Sequence, residues 1–109
     1  MPIIDVSGLM SSEREKKVYI RKDLKVFFKT LGFSEDSTTV TFDTDDTTGP
    51  EEHVMARMYS KKFMQMEVLE LERMCDSVVA VLEKAGHPFN EAFPVPVLAM
   101  RGRPNKQNH

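Results

Sequence analysis

Residues 71–86 read LERMCDSVVAVLEKAG and residues 20–32 read IRKDLKVFFKTLG. In the first stretch Leu71, Met74, Cys75, Val78, Val81, Leu82 and Ala85 recur at three- and four-residue spacing, one face of a helix. Ile20, Leu24, Phe27, Phe28 and Leu31 do the same in the second. Each run stops at a glycine, Gly86 or Gly32, the residue best suited to a left-handed C-cap, and Pro88 prevents continuation past the later one. The spacing predicts one helix from near Ser12 to about Gly32 and another over residues 65–85. Ser12-Glu13-Arg14-Glu15 fits a capping box for the first, the serine hydroxyl accepting a backbone N–H and the glutamate reaching back.

Strand-like runs flank both helices. Residues 2–6 are β-branched and closed by Ser7-Gly8, residues 38–43 alternate Val40 and Phe42 with Thr39 and Thr41, and residues 53–60 and 93–100 read as two further strands. Pro94 and Pro96 lack N–H groups two residues apart, so they leave one edge of the last strand without donors, exposed or bulged. A shift of 54 residues, the separation of Gly32 and Gly86, carries Ile20, Leu24, Phe27, Phe28 and Leu31 onto Met74, Val78, Val81, Leu82 and Ala85. The same shift lays residues 56–62 on 2–8 and 93–98 on 39–44, so that 2–48 and 56–100 form a pseudo-repeat. The expected fold is α+β: two tandem β-α-β units, a four-stranded sheet, and two helices on one face. A helical crossover makes each unit's strands parallel. The other sheet face is then bare, and self-association is the expected cover.

With 109 residues, 40% hydrophobic and 29% charged, the chain is expected to be a single folded domain, 1–109, with a flexible basic tail at 101–109. A net charge of -2 concentrates no basic face for nucleic acid or anionic membrane. No apolar run approaches the roughly 20 residues of a membrane span, and no signal peptide is read at the start. One cysteine, Cys75, permits no internal disulfide, and the expected location is cytoplasmic. Cys75 lies on the apolar helix face and reads as core, and the methionines, Met64, Met66 and Met74 among them, read as gap-fillers. His53, His87 and His109 have no metal-ligand spacing with one another or with Cys75, and the polar run 43–50, with Asp43, Asp45 and Asp46, lacks the glycine and distal glutamate of a calcium loop. No metal and no cofactor is expected.

The chemistry-bearing feature is the Met-Pro start. Removal of Met1 would leave Pro2 as a secondary amine at the head of a strand. An α-amino group titrates near about 8, and apolar surroundings with a nearby cation lower that value. A neutral amine takes a proton from carbon α to a carbonyl and returns it elsewhere, which is keto–enol tautomerisation. In the 54-residue register Lys61 falls opposite Ser7, just past the second unit's first strand, where Tyr59-Ser60-Lys61-Lys62 offers cations to a carboxylate. Arg57, Tyr59 and Lys61 fall on one side by alternation; Arg57 either joins them or pairs with Asp5 in the sheet.

A Met-Pro start, a first strand opening at that proline and a doubled β-α-β unit of this length resemble the tautomerase superfamily, in its macrophage migration inhibitory factor-like form. The resemblance covers nearly the whole chain in architecture, and Pro2 is its motif residue. It implies a homotrimer in which Pro2 is the catalytic base, with Lys61, Tyr59 and Arg57 as substrate-binding candidates for a small 2-oxo acid or enol bearing a carboxylate. Two departures stand out: Arg14 lies only near the arginine that some members use at the first helix, and Pro94 and Pro96 fall where others present aromatic and amide groups. Two alternatives share the pattern: a non-catalytic oligomeric binding protein of the same fold, and a ferredoxin-like ligand-binding module. Strand pairing separates the latter.

Overall fold

The computed structural model describes residues 1–44, 53–87 and 89–96. The chain runs β1 (Ile3–Leu9), α1 (Arg14–Thr30), β2 (Thr39–Thr44), β3 (Val54–Tyr59), α2 (Val68–Lys84) and β4 (Asn90–Pro94), with 3-10 turns at Glu35–Ser37 and Lys61–Gln65. The polar stretch expected over 43–50, the end of the last expected strand and the basic tail lie largely or wholly outside the described residues.

The strands form one sheet in the order β2-β1-β3-β4. β1 pairs parallel with β2, β3 parallel with β4, and β1 antiparallel with β3. A ferredoxin-like sheet splits each β-α-β unit with an intervening strand. Here both strands of each unit are neighbours, which excludes that alternative. The 54-residue shift holds in the ladders as well as the helices: the rung Ile3–Thr39 becomes Arg57–Phe93.

The buried residues of α1 are Ile20, Leu24 and Phe28, and those of α2 are Met74, Val78 and Leu82, the same three positions in the repeat. They pack with Ile4 and Val6 of β1, Val40 of β2 and Val54, Ala56 and Met58 of β3. Phe27, Leu31, Leu71, Cys75, Val81 and Ala85 lie partly buried at the margins of this core. Among the described residues, alternation on the strands leaves the opposite face without a helix. Across it run three ranks of side chains: Thr39–Ile3–Tyr59, Thr41–Asp5–Arg57–Phe93, and Asp43–Ser7–Met55–Glu91.

Several boundaries differ from expectation. α1 starts at Arg14 with Glu13 as N-cap and no side-chain cap bond, and Ser12 stays exposed. The carboxylate of Glu13 instead accepts from the Met10 N–H at 2.8 Å, a contact outside the helix. The capping box occurs on α2, where the Glu67 N–H donates to Glu70 Oε1 at 3.2 Å. Before it the chain makes a 3-10 turn that buries Phe63 and leaves Met64 exposed, so Met64 is not the gap-filler expected. β4 begins at Asn90, three residues earlier than Phe93. It is an edge strand; the Val95 N–H just beyond it still donates to the Met58 carbonyl at 2.8 Å, so Pro94 and Pro96 fall at the alternate, outward positions. One glycine is required by contact: Gly8 has φ +108, and a Cβ there would collide with the His53 carbonyl oxygen.

Candidate active site

Pro2 opens β1 as a buried residue, and its carbonyl accepts the Thr39 N–H at 3.0 Å, the first bond between β1 and β2. Ile3 pairs with Tyr59 at this end of the sheet, so the antiparallel register sets Pro2 across from Ser60, with Lys61 one residue further along. The C-terminus of α1 and the N-terminus of α2 come to the same end. Phe28, Phe33 and Phe63 gather there in a triangle with ring centroids 6.0–6.1 Å apart. The end of the sheet that carries Pro2 thus holds the aromatic triangle, with Lys61 and Lys62 in the turn that follows β3.

The two lysines divide in role. Lys62 Nζ sits 4.8 Å from the centre of the Phe33 ring, and 3.5 Å from where a side chain on Gly32 would begin. A cation at that place faces the terminal carbonyls of α1, where the helix dipole favours it. Lys61 is exposed at the first position of the 3-10 turn. Tyr59 shares its rank with Ile3 on the helix-free face, whereas alternation assigns Pro2 to the side of Ile4.

Arg57 is not grouped with Lys61. Its Nη1 donates to Ser7 Oγ at 3.1 Å and lies 3.7 Å from Asp5 Oδ2, directly across the ladder. Thr41 Oγ1 donates to the other Asp5 oxygen at 3.0 Å. The charge and hydrogen bond of Asp5 raise the Asp43 carboxyl above the ordinary aspartate value, burial adds to this, and Arg57 opposes it. Arg57 therefore belongs to a polar network on the helix-free face, the second of the two roles its sequence position allowed.

At the opposite end of the sheet lies a pair that the sequence did not reveal. His87 Nε2 is 2.9 Å from Glu13 Oε1, and the side chains are 2% and 10% exposed. Lys16 Nζ reaches the same oxygen at 3.3 Å. Burial raises the Glu13 pKa, but the bonds from Met10, His87 and Lys16 outweigh it and hold the carboxyl below its ordinary 4.5. An ionised Glu13 only accepts, so the His87 Nε2 carries the hydrogen. The available signal was the repeat itself, in which Glu13 aligns with Glu67 and His87 with Phe33.

Cys75 is half-buried, and burial, with Asp76 and Glu72 adding, pushes its thiol up, away from the reactive thiolate. Among the described residues no cluster of three or more His, Cys, Asp or Glu is placed to hold a metal ion, and no helix is long and apolar enough to cross a membrane.

Two β-α-β units packed as one mixed four-stranded sheet with two helices make up a tautomerase-like fold. Among solved structures the chain is similar to N1, a member of the cis-3-chloroacrylic acid dehalogenase family, with 17% identity and a TM-score of 0.53 over 92% of this chain and 79% of that one. No protein-family model and no curated protein matches the sequence. The likeness is one of fold.

Proposed function

We propose that the protein is an isomerase that moves a proton between carbon and oxygen of a small 2-oxo acid or its enol. The observation that carries this reading is Pro2, buried at the head of β1 in a tautomerase-like fold. In the mature chain Met1 is removed and Pro2 presents a secondary amine. The aromatic triangle and the lysines at that end of the sheet favour the neutral amine, since low polarity and nearby positive charge both disfavour its protonated form. The amine removes the proton α to the carbonyl and delivers it at the other end of the enol system. Lys61 pairs with the substrate carboxylate as a point charge, without the bidentate fork of an arginine.

The direct test is ketonisation of the enol of phenylpyruvate, followed by absorbance, together with the intact mass of the natively produced protein. A rate above buffer from protein lacking Met1 is the expected outcome. A rate equal to buffer across several 2-oxo acids would favour a non-catalytic binding protein of the same fold. Lys61→Ala is expected to raise KM for carboxylate substrates roughly fivefold and to leave kcat and neutral substrates nearly unchanged, because an exposed ion pair contributes at most about 1 kcal/mol. An equal effect on neutral substrates would remove Lys61 from the carboxylate site.

The helix-free face is covered, in the same reading, by association into a homotrimer. Light scattering at micromolar concentration is expected to give the mass of three chains rather than the 12.5 kDa of one.

A further inference from the structure

The two ends of the molecule are fastened by different physics. At the Pro2 end, Phe33 packs into the aromatic triangle under Lys62, and Glu67 serves only as a helix cap. At the other end the equivalent positions are His87 and Glu13, and they form a buried polar pair. Glu13 gathers donors from three places: the Met10 N–H in the turn after β1, Lys16 on α1, and His87 in the connection from α2 to β4. That connection continues directly into the edge strand, with the Asn90 Nδ2 donating to the His87 carbonyl at 2.8 Å. Among the described residues His87 Nδ1 and Asn90 Oδ1 are both buried without a hydrogen-bond partner, so the side-chain bond that ties His87 to the first unit is the one to Glu13.

We propose that Glu13 and His87 form an acid-released latch between the two units, which frees the α2–β4 connection and β4 while the Pro2 end stays packed. Protonation of Glu13 removes the negative charge that holds both His87 and Lys16. The aromatic fastening at the other end contains no acid to titrate. Other charged or titratable groups near the latch include Glu15, Tyr19 and Asp23 on α1, Lys84 on α2, whose Nζ lies 5.8 Å from the Tyr19 ring, and His53, whose ring lies 6.2 Å from Phe89. None of these bonds Glu13 among the contacts described.

The sign follows from the Glu13 carboxyl, which is more acidic when folded than its ordinary 4.5. The stabilisation is present above that ordinary value and is lost as pH falls through the lower, folded value. Amide hydrogen exchange, corrected for intrinsic rates, reads β4 and the β1–β2 pairing separately. The Val54 and Val95 amides, which bond to Phe89 and Met58, report on the β4 side, and the Thr39 amide, bonded to Pro2, reports on the other. Between about pH 6 and about pH 3, Val54 and Val95 are expected to lose protection roughly ten- to hundredfold more than Thr39, the factor carried by one hydrogen bond to a charged group. Glu13→Gln, of nearly the same shape, should show that loss already at the higher pH and little further change on acidification. Should that variant not fold, His87→Phe copies the arrangement of Phe33 and should make protection of β4 independent of pH in this range. Parallel loss at Thr39 and at Val54 and Val95 in the wild type, or the wild-type pH dependence surviving in a folded variant, would overturn the latch.

Discussion

Phe28→Ala is expected to destabilise the protein by about 3–5 kcal/mol, the range for removing a fully buried aromatic ring from a packed core. Phe28 lies at the bottom of α1 with no solvent exposure, and its ring meets Phe27 at 5.1 Å and Phe33 and Phe63 at 6.1 Å. Three of those partners come from different segments: the end of α1, the loop before β2 and the turn before α2. Truncation therefore removes a shared contact, and the neighbours cannot all collapse into the space at once. For a domain of this size each kcal/mol moves Tm by roughly 4 °C, so a fall on the order of 10–20 °C is expected in thermal unfolding. Against a total stability of about 5–15 kcal/mol, that loss leaves a marginal fold. Val18→Ala on the same helix is the control: Val18 is 66% exposed and should change Tm by no more than a degree or two. If the two substitutions cost the same, the aromatic triangle is not where this end of the molecule is fastened.

How much of this was legible depends on which residues set the outcome. The buried triplets Ile20-Leu24-Phe28 and Met74-Val78-Leu82 follow from helical period alone, and their equal spacing exposed the repeat before any contact was known. The common shift also foretold that the β1–β2 rungs would map onto the β3–β4 rungs, whereas the antiparallel pairing of β1 with β3 needed the structure. The start of α1 did not. Ser12 offers good local capping chemistry, but tertiary contacts recruit Glu13 for Met10 and His87, a residue 74 positions away. Local pattern carries no trace of that partner. β4 was misplaced for a related reason: Asn90 and Glu91 are poor strand formers alone, and it is pairing with Val54 and Met55 that makes them a strand. Phe63 falls between the strand expected at 53–60 and the helix expected from 65, and the 3-10 turn there drives it into the core. Among the candidate site residues, Pro2 stands out in the sequence by its chemistry and Lys61 by the repeat register, which make them proposals, while the engagement of Arg57 with Asp5 and Ser7 needed the cross-strand geometry to decide.

Pro2→Ala is expected to lower kcat for enol ketonisation by roughly 10²–10⁴-fold, the range contributed by a positioned acid–base group, with KM little changed. The structure makes this substitution unusually clean. What Pro2 gives the fold is its carbonyl, which accepts the Thr39 N–H at 3.0 Å, and alanine keeps that carbonyl. The Pro2 nitrogen takes no part in the ladder, so no strand bond is lost, and the urea midpoint should fall by far less than in Phe28→Ala. The two variants thus separate chemistry from packing: one should lose rate and keep stability, the other should lose stability first. Alanine also leaves a small residue after Met1, so processing still exposes an amine, but a freely rotating primary one instead of a ring-fixed secondary amine. Intact mass must therefore accompany the kinetics, since a retained Met1 would abolish the rate by blocking the amine whichever residue follows it. A mature Pro2→Ala protein with wild-type kcat would remove the amine's ring from the mechanism and would leave the isomerase reading without its base.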